Sequence, residues 1–564
     1  MSALTLDAGP LAASFEKACS RLEQLGFGDA LWNRRLDVWS SDPAVQQKVS
    51  TRLGWLGALE FVTPHLPRLR AVADLVVREG PSDVVLLGMG GSSLAPEVLR
   101  QVLGIAQGRP TFRMLDSVDP DAVDEAMANA ATSWFILASK SGGTIEPNVM
   151  AADAQRRLRE AGHEWNTRFI AITDEGTLLH HRAVDERMRE VFVNPSDIGG
   201  RYSALSFFGL VPAAIMGADL DRLLASAHDM VDACRRPSVQ ENPGLTLGAF
   251  MAAGALTGRD KLTLLVPPRL ASFGLWVEQL VAESTGKHGK GVVPITGESP
   301  EASFGSDRVA VVVRLGSEGP DTSTLDAARA AGVPMLTWDM PDVTSIGAEF
   351  LRWEVGTAAA GVLLDINPFD EPNVQQAKDA TRVLLDEYKQ RGRLPIPEAH
   401  ATIAGARLTL SAAAQQTLEG EPADVFFRVL GPSDYFGLLA YLPPDGAPFA
   451  ESLHALRMAV ASETGVATMF GYGPRYLHST GQLHKGGANN GVFVIVTAEP
   501  EQDLPIPGEP FSFGVLEMAQ AIGDFQSLDR TKRRALHVHL PRRDPALLRQ
   551  IAHTLLAKVA RQPR

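Results

Sequence analysis

The chain has 564 residues, 45% apolar and 21% charged, with a formal net charge of −13. That length exceeds one core and predicts two to four domains of ordinary soluble composition. The acidic balance argues against a general nucleic-acid binder, although a local basic pocket for a small anion fits it. Cys19 and Cys234, far apart, suggest neither a disulfide framework nor a metal site and fit a reducing cytoplasm. The N-terminus lacks a signal-peptide pattern, and no apolar run approaches the roughly 20 residues of a membrane span.

Residues 1 to about 60 read as helical, through RLEQLGFGDALWNRRL and DPAVQQKVSTRLGWLGAL, with Asp42-Pro43 as a start signal. From 61 to 235 short apolar runs alternate with helical patterns, the strands being DVVLLG, FRMLDS, WFILAS, RFIAIT and REVFVN. Such alternation predicts a parallel sheet with helices on both faces. RRPSVQENPG at 235–244 marks a boundary, and 236–395 repeats the alternation with LTLLVPP, RVAVVVRL and VPMLTWD. RGRLPIPEAH reads as a linker. Residues 396–564 form a last α/β region with strands FFRVLG, YFGLLAYL, NGVFVIVT and LHVHL and helices near 449–465 and 513–529.

The most informative segment is SKSGGT at 139–144, between the strand WFILA and the helical pattern IEPNVMAADAQRRLRE. Glycines let the backbone approach a ligand, hydroxyls donate hydrogen bonds, and the helix N-terminus favours an anion. Ser139, Lys140, Ser141 and Thr144 are therefore candidate phosphate ligands. GMGGSS at 88–93 is a second strand-to-helix turn, a plain tight turn when taken alone. Its sixth residue, Ser93, disfavours a dinucleotide fingerprint, but two such loops in one parallel sheet can meet at a switch point.

Arg201, in GGRYSALSFFGL, reads either as a surface residue capped by Asp197 or as a fixed cation aimed into a cleft. Glu283, in ESTGKHGKG, ends the helical pattern SFGLWVEQLVAES, where the helix dipole raises a carboxyl pKa and suits a general base; the bland reading is a frayed helix end. Glu278 lies in mid-helix and reads as solvated or paired. Lys378, in INPFDEPNVQQAKDA, is an ordinary helix lysine on its own. LHSTGQLHKGGANNG at 477–491 offers His478 and His484, six apart, which is no convincing metal spacing, though one histidine near neutrality suffices for proton transfer; the bland reading is a polar surface loop.

Together GMGGSS, SKSGGT, GGRYS, ESTGK and NPFDEPNV resemble, in order, the landmarks of the glucose-6-phosphate isomerase family over roughly residues 60–390. GYGPRYLHSTGQLHKGG and the stretch through RLGWL resemble the isomerase half of fused transaldolase/glucose-6-phosphate isomerase proteins. About 60 residues before the isomerase-like part cannot build a barrel of roughly 250, so no transaldolase activity is expected. The resemblance implies two flavodoxin-like sugar-isomerase lobes with parallel sheets, at 61–235 and 236–395. To these are added the N-terminal helical segment and the C-terminal α/β region.

It implies Ser139, Ser141 and Thr144 as phosphate ligands with Lys140 beside them, and Gly91 and Ser92 next to the sugar. Arg201 would lie near the reacting carbons, Glu283 would be the base and Lys378 would lie near the ring oxygen. It implies no metal or cofactor, a cytoplasmic sugar-phosphate enzyme of glycolysis and gluconeogenesis, and the possibility of a homodimer. The chain departs from the family at the ring-opening histidine, which usually falls between the Glu and Lys motifs. Residues 289–366 contain no histidine. His478 is therefore the leading candidate, with His288 and His484 behind it, and FSFGVLEMAQA at 511–521 resembles the helix that normally follows that histidine. A phosphosugar-binding regulator without catalysis and an isomerase also accepting mannose 6-phosphate are the alternatives.

Overall fold

The structure is a computed structural model and describes residues 4–298, 303–444 and 449–558. Three sheets organise it. The first takes Asp83–Gly88, Thr111–Leu115, Trp134–Ala138, Phe169–Asp174 and Glu190–Asn194, all parallel. Thr111–Leu115 lies on one side of Asp83–Gly88 and Trp134–Ala138 on the other, so the strand order reverses between 83–88 and 134–138. Along the central strand Val84 and Leu86 enter one core while Val85 and Leu87 enter another, as the two-residue period of a strand requires. Burial on both faces explains why these runs are continuously apolar.

The second sheet pairs Lys261–Leu265, Val293–Ile295, Arg308–Leu315 and Met335–Met340 in parallel. Thr5–Asp7 adds an antiparallel edge strand beside Met335–Met340. The expected all-helical N-terminus thus begins with a strand too short to carry a period. Helices follow as expected at Ala12–Gln24 and Pro43–Ser50, where the Asp42 carboxylate accepts the Ala44 N–H.

The third sheet holds Tyr435–Tyr441, Ala467–Tyr472, Gly491–Ala498 and Arg534–Leu540 in parallel, with Ala401–Ile403 and Ala406–Leu410 antiparallel at one edge. FFRVLG is not a strand: it falls in the 3₁₀ segment Ala423–Val429 and the turn after it. Phe426 and Phe427 are both buried in the same core, and a strand would send consecutive side chains to opposite faces.

The last region is not an appendage. Leu384 and Leu385, with Phe513, Leu516 and Ile522, share a core with Val85, Leu87 and Leu137 of the first sheet. Ala282, Val293 and Ile295 share another with Tyr435, Tyr476 and Phe493 of the third. The helix Ala271–Thr285, which carries Glu283, therefore sits where the three sheets converge.

Candidate active site

The reversal point of the first sheet is where two loops leave adjacent strands side by side. Gly91 is pressed against the segment Gly200–Tyr202: a Cβ there would lie 2.0 Å from the Gly200 carbonyl oxygen, so only glycine lets these backbones touch. In the other loop the Ser139 hydroxyl accepts the Gly142 N–H at 3.1 Å and Ser141 accepts the Gly143 N–H at 3.3 Å. The Asn148 amide donates to the carbonyls of Gly142 and Thr144 at 3.0 and 2.8 Å, folding the loop over the N-terminus of helix Ile145–Glu160. Lys140 pairs with Asp174 and donates to the Ser196 carbonyl at 2.9 Å. Burial pushes Asp174 up to about 6 despite that lysine. With the lysine so engaged, the hydroxyls and the helix-end N–H groups are the loop's means of holding an anion.

Arg201 is buried, not a surface cation, and Asp197 is not its partner. Its Nε donates to the Ser284 hydroxyl at 2.8 Å, and one Nη donates to the carbonyls of Pro368 and Asp370 at 2.9 and 3.0 Å. The other Nη faces two carboxylates, Glu283 at 3.2 Å and Glu371 at 3.0 Å. Glu283 lies in the last turn of its helix and is only 8% exposed. Burial lifts its carboxyl above the ordinary range; Arg201 pulls it back, and the negative charge of Glu371 adds to the rise. Glu278 is neither solvated nor turned to this site: it is buried, accepts a hydrogen bond from the Thr296 hydroxyl at 2.5 Å and is pushed up to about 7 by burial.

His478 follows the strand Ala467–Tyr472 and, though far away in sequence, reaches the first lobe within the same chain. Its Nε2 is 3.0 Å from Glu146 Oε1, in the first turn of the helix after SKSGGT. Its carbonyl accepts the Gln279 amide at 2.8 Å, and that amide also donates to Glu283 at 3.3 Å. A Cβ on Gly90, where φ is +55°, would lie 2.8 Å from the same carbonyl. Glu146 is buried and also accepts from the Gln520 amide at 2.7 Å. Burial raises its pKa, but His478 and Lys378 outweigh that and hold it below the ordinary value. The rival histidines lie elsewhere. His288 is exposed on a left-handed turn with φ +54°. His484 is buried between Tyr476 and Phe493, and burial drives its pKa far below the ordinary value.

These pieces enclose a cavity of about 430 Å³. Gly91, Ser92, Ser139, Lys140, Ser141, Thr144, Arg201, Glu283, Lys378 and His478 all line it. Sequence reasoning missed Gln279, Glu371 and Arg52 among the lining residues, and Glu146 behind His478. Gln279 was findable, since it precedes Glu283 by four residues and so shares its helix face. Arg52 lies in the RLGWL stretch, whose Trp55 packs on Tyr202 with ring centroids 5.2 Å apart. Glu146 and Gln520 carried no signal, because nothing in a single chain links residues so distant.

Parallel sheets with a hydroxyl- and glycine-lined turn at the reversal point define an α/β protein with a ligand crevice at its switch point. The family model for phosphoglucose isomerase matches residues 78–306. A glucose-6-phosphate isomerase from Prochlorococcus marinus subsp. pastoris is 29% identical over 351 residues, which is 55% of this chain and 67% of that one. A hypothetical protein from Thermus thermophilus superposes with a TM-score of 0.57 at 25% identity, covering 67% of this chain and 99% of that one. A glucose-6-phosphate isomerase from Chlamydia trachomatis shares the fold, with a TM-score of 0.50 at 18% identity over 66% of this chain and 79% of that one. Over residues 78–306 the chain is similar to phosphoglucose isomerases.

Proposed function

We propose that the protein interconverts D-glucose 6-phosphate and D-fructose 6-phosphate through a cis-enediol, as a step of glycolysis and gluconeogenesis in the cytoplasm. The observation that carries this is the gathering of Glu283, Arg201, Lys378 and His478 around one cavity whose rim is the SKSGGT loop. On this reading Ser139, Ser141 and Thr144 grip the phosphate with Lys140 in support, and Gly91 and Ser92 lie along the sugar. That grip orients the remote carbons.

His478, assisted by Lys378, opens the ring: the anomeric hydroxyl gives up its proton, the C1–O5 bond breaks and O5 takes a proton. Glu283 then removes the C2 proton of the open aldose. The C1 carbonyl oxygen becomes the enediolate oxygen, stabilised by Arg201. Glu283 returns the proton to C1 while the proton of the C2 hydroxyl passes to the C1 oxygen, giving the ketose. A carboxyl lifted above its ordinary range suits this task, since a base works best with a pKa near the working pH. The proposed division at 1–60, 61–235, 236–395 and 396–564 then has the last segment supply the histidine in cis. A homodimer, if it forms, does not have to exchange histidines.

The direct test is Glu283→Gln. Turnover should fall roughly 10²–10⁴-fold, the usual share of general-base catalysis, while binding of the sugar phosphate stays nearly intact. Turnover at the wild-type rate would remove Glu283 from the chemistry. Loss of binding together with turnover would point to a phosphosugar-binding role instead.

A further inference from the structure

The third sheet repeats the topology that makes the first sheet a ligand site. From Tyr435–Tyr441 the chain crosses to Ala467–Tyr472 on one side, then returns to place Gly491–Ala498 on the other side and Arg534–Leu540 beyond it. The order therefore reverses between 435–441 and 491–498. In an open parallel sheet the crevice beyond the carboxyl ends of two such strands is where ligands bind. A cavity of about 170 Å³ lies there, lined by Tyr441 at the end of one strand and by Thr497 and Ala498 at the end of the other. It shares no lining residue with the cavity that holds Glu283 and His478.

Its chemistry is the opposite of the phosphate loop's. Among the described residues the walls carry three carboxylates, Glu499, Asp503 and Glu517, and no Lys, Arg or His. Asp503 and Glu499 are already engaged. Asp503 accepts from the Ser512 hydroxyl and the Gly514 N–H at the head of helix Phe513–Arg530, and Glu499 pairs with His539 at 3.3 Å. Glu517 is different. It is 5% exposed, and its buried Oε1 has no hydrogen-bond partner among the described residues. The nearby Arg543 pairs with Asp119 and Asp121. A buried carboxyl oxygen left unpaired is costly, so a ligand donor at that position is favoured.

We propose that this cavity is a binding site for a small organic ammonium ion, whose N–H donors reach Glu517 and whose charge lies among the rings of Tyr388 and Tyr441 and the rim carboxylates. An anion meets three carboxylates and no cation there. A metal ion is not favoured, since among the described residues no group of three or more His, Cys, Asp or Glu is arranged to hold one. In the free protein, burial and the charges of Asp119, Asp503 and Asp121 hold Glu517 well above the ordinary carboxylate range, with Arg543 opposing them. Tyr441, also facing this cavity, stays neutral because burial lifts its hydroxyl far above the usual value. An arriving ammonium ion therefore shifts Glu517 toward its ionised form. The proposal does not depend on the isomerase chemistry.

The test uses the full chain with ethanolamine as probe and ethylene glycol, its neutral isostere, as control. Ligand-observed NMR should show saturation transfer to ethanolamine below about 50 mM, the weak end for a ligand of four heavy atoms, and none to ethylene glycol. Calorimetry in buffers of different ionisation enthalpy should show proton release on binding that grows as the pH is lowered toward the titration of Glu517. Glu517→Gln should weaken ethanolamine about tenfold or more while isomerase turnover is unchanged, which serves as the check on folding. Val515→Phe, which fills the cavity from its wall without touching a carboxylate, should do the same if the glutamine variant does not fold. Equal binding of the glycol, binding that survives both substitutions, or no transfer to ethanolamine would each overturn the proposal.

Discussion

Glu371→Gln is the most informative single change at the cavity, because it alters one charge and leaves the shape. Glu371 and Glu283 meet the same Arg201 nitrogen at 3.0 and 3.2 Å, so their nearest oxygens are at most about 6 Å apart. At an effective dielectric of about 20 two unit charges at that distance repel by about 3 kcal/mol. Glu371 is 39% exposed, and solvent screening reduces this by about half. What is left corresponds to roughly one pH unit on Glu283. Removing the charge also leaves Arg201 more fully available to Glu283, which acts in the same direction. The Glu283 pKa is raised in the native site, so the substitution lowers it and the base stays ionised to lower pH. The acid limb of the pH profile of kcat/KM should move down by about one unit, measured with a coupled assay across the limb. An acid limb that stays in place, or moves up, would show that Glu371 does not set the base's titration or that Glu283 is not the base.

The remaining predictions follow from the same contacts. His478→Ala should slow conversion of cyclic substrate by roughly 10²-fold or more but spare a substrate presented in its open form; equal losses on both would take ring opening away from His478. Because Glu146 and His478 meet within one chain at 3.0 Å, mixing Glu283→Gln and His478→Ala subunits should not restore activity, and restored activity would require exchange between chains. Gly91→Ala places a Cβ 2.0 Å from the Gly200 carbonyl, so the two loops must part. A fall in unfolding free energy of about 1–3 kcal/mol with a raised KM is expected, and an unchanged KM would mean that the loop contact does not shape the sugar site.

Much of this was open to reading because the decisive elements are local. Trp134–Ala138, the six-residue turn after it and helix Ile145–Glu160 are contiguous, so apolar period, glycine content and helix start all report the same structure. The five strands of the first sheet are continuous apolar runs for the same reason, since both faces are covered. What escaped is what short range cannot encode. Thr5–Asp7 and Val293–Ile295 are three residues each, below any period. FFRVLG has strand composition, but its paired phenylalanines must face one core. Ala467–Tyr472 is interrupted by Thr468 and Gly471, and Gly471 is needed because a Cβ there would lie 2.8 Å from Tyr476 Cβ. Arg201 gave equal support to a surface and a buried reading, because its partners Ser284, Pro368, Asp370 and Glu371 all lie more than eighty residues away.

The place of His478 in the cavity shows why order along the chain is a weaker constraint than contact in space. A cavity at the carboxyl ends of parallel strands can receive a side chain from any strand that ends there, whatever its place in the chain. Two anchors then decide whether the group is placed. Glu146 holds the imidazole from the helix that opens the anion loop, and Gln279 holds its backbone carbonyl from the helix that carries Glu283. Each anchor belongs to a different sheet's surroundings, so the position of His478 is defined by both lobes at once. Gln520 secures the first anchor from the helix Phe513–Arg530, which packs in the first lobe's second core. The C-terminal region therefore supplies the histidine and part of the frame that aims it: without Gln520, Glu146 would be buried with one hydrogen bond fewer beside the imidazole that it holds.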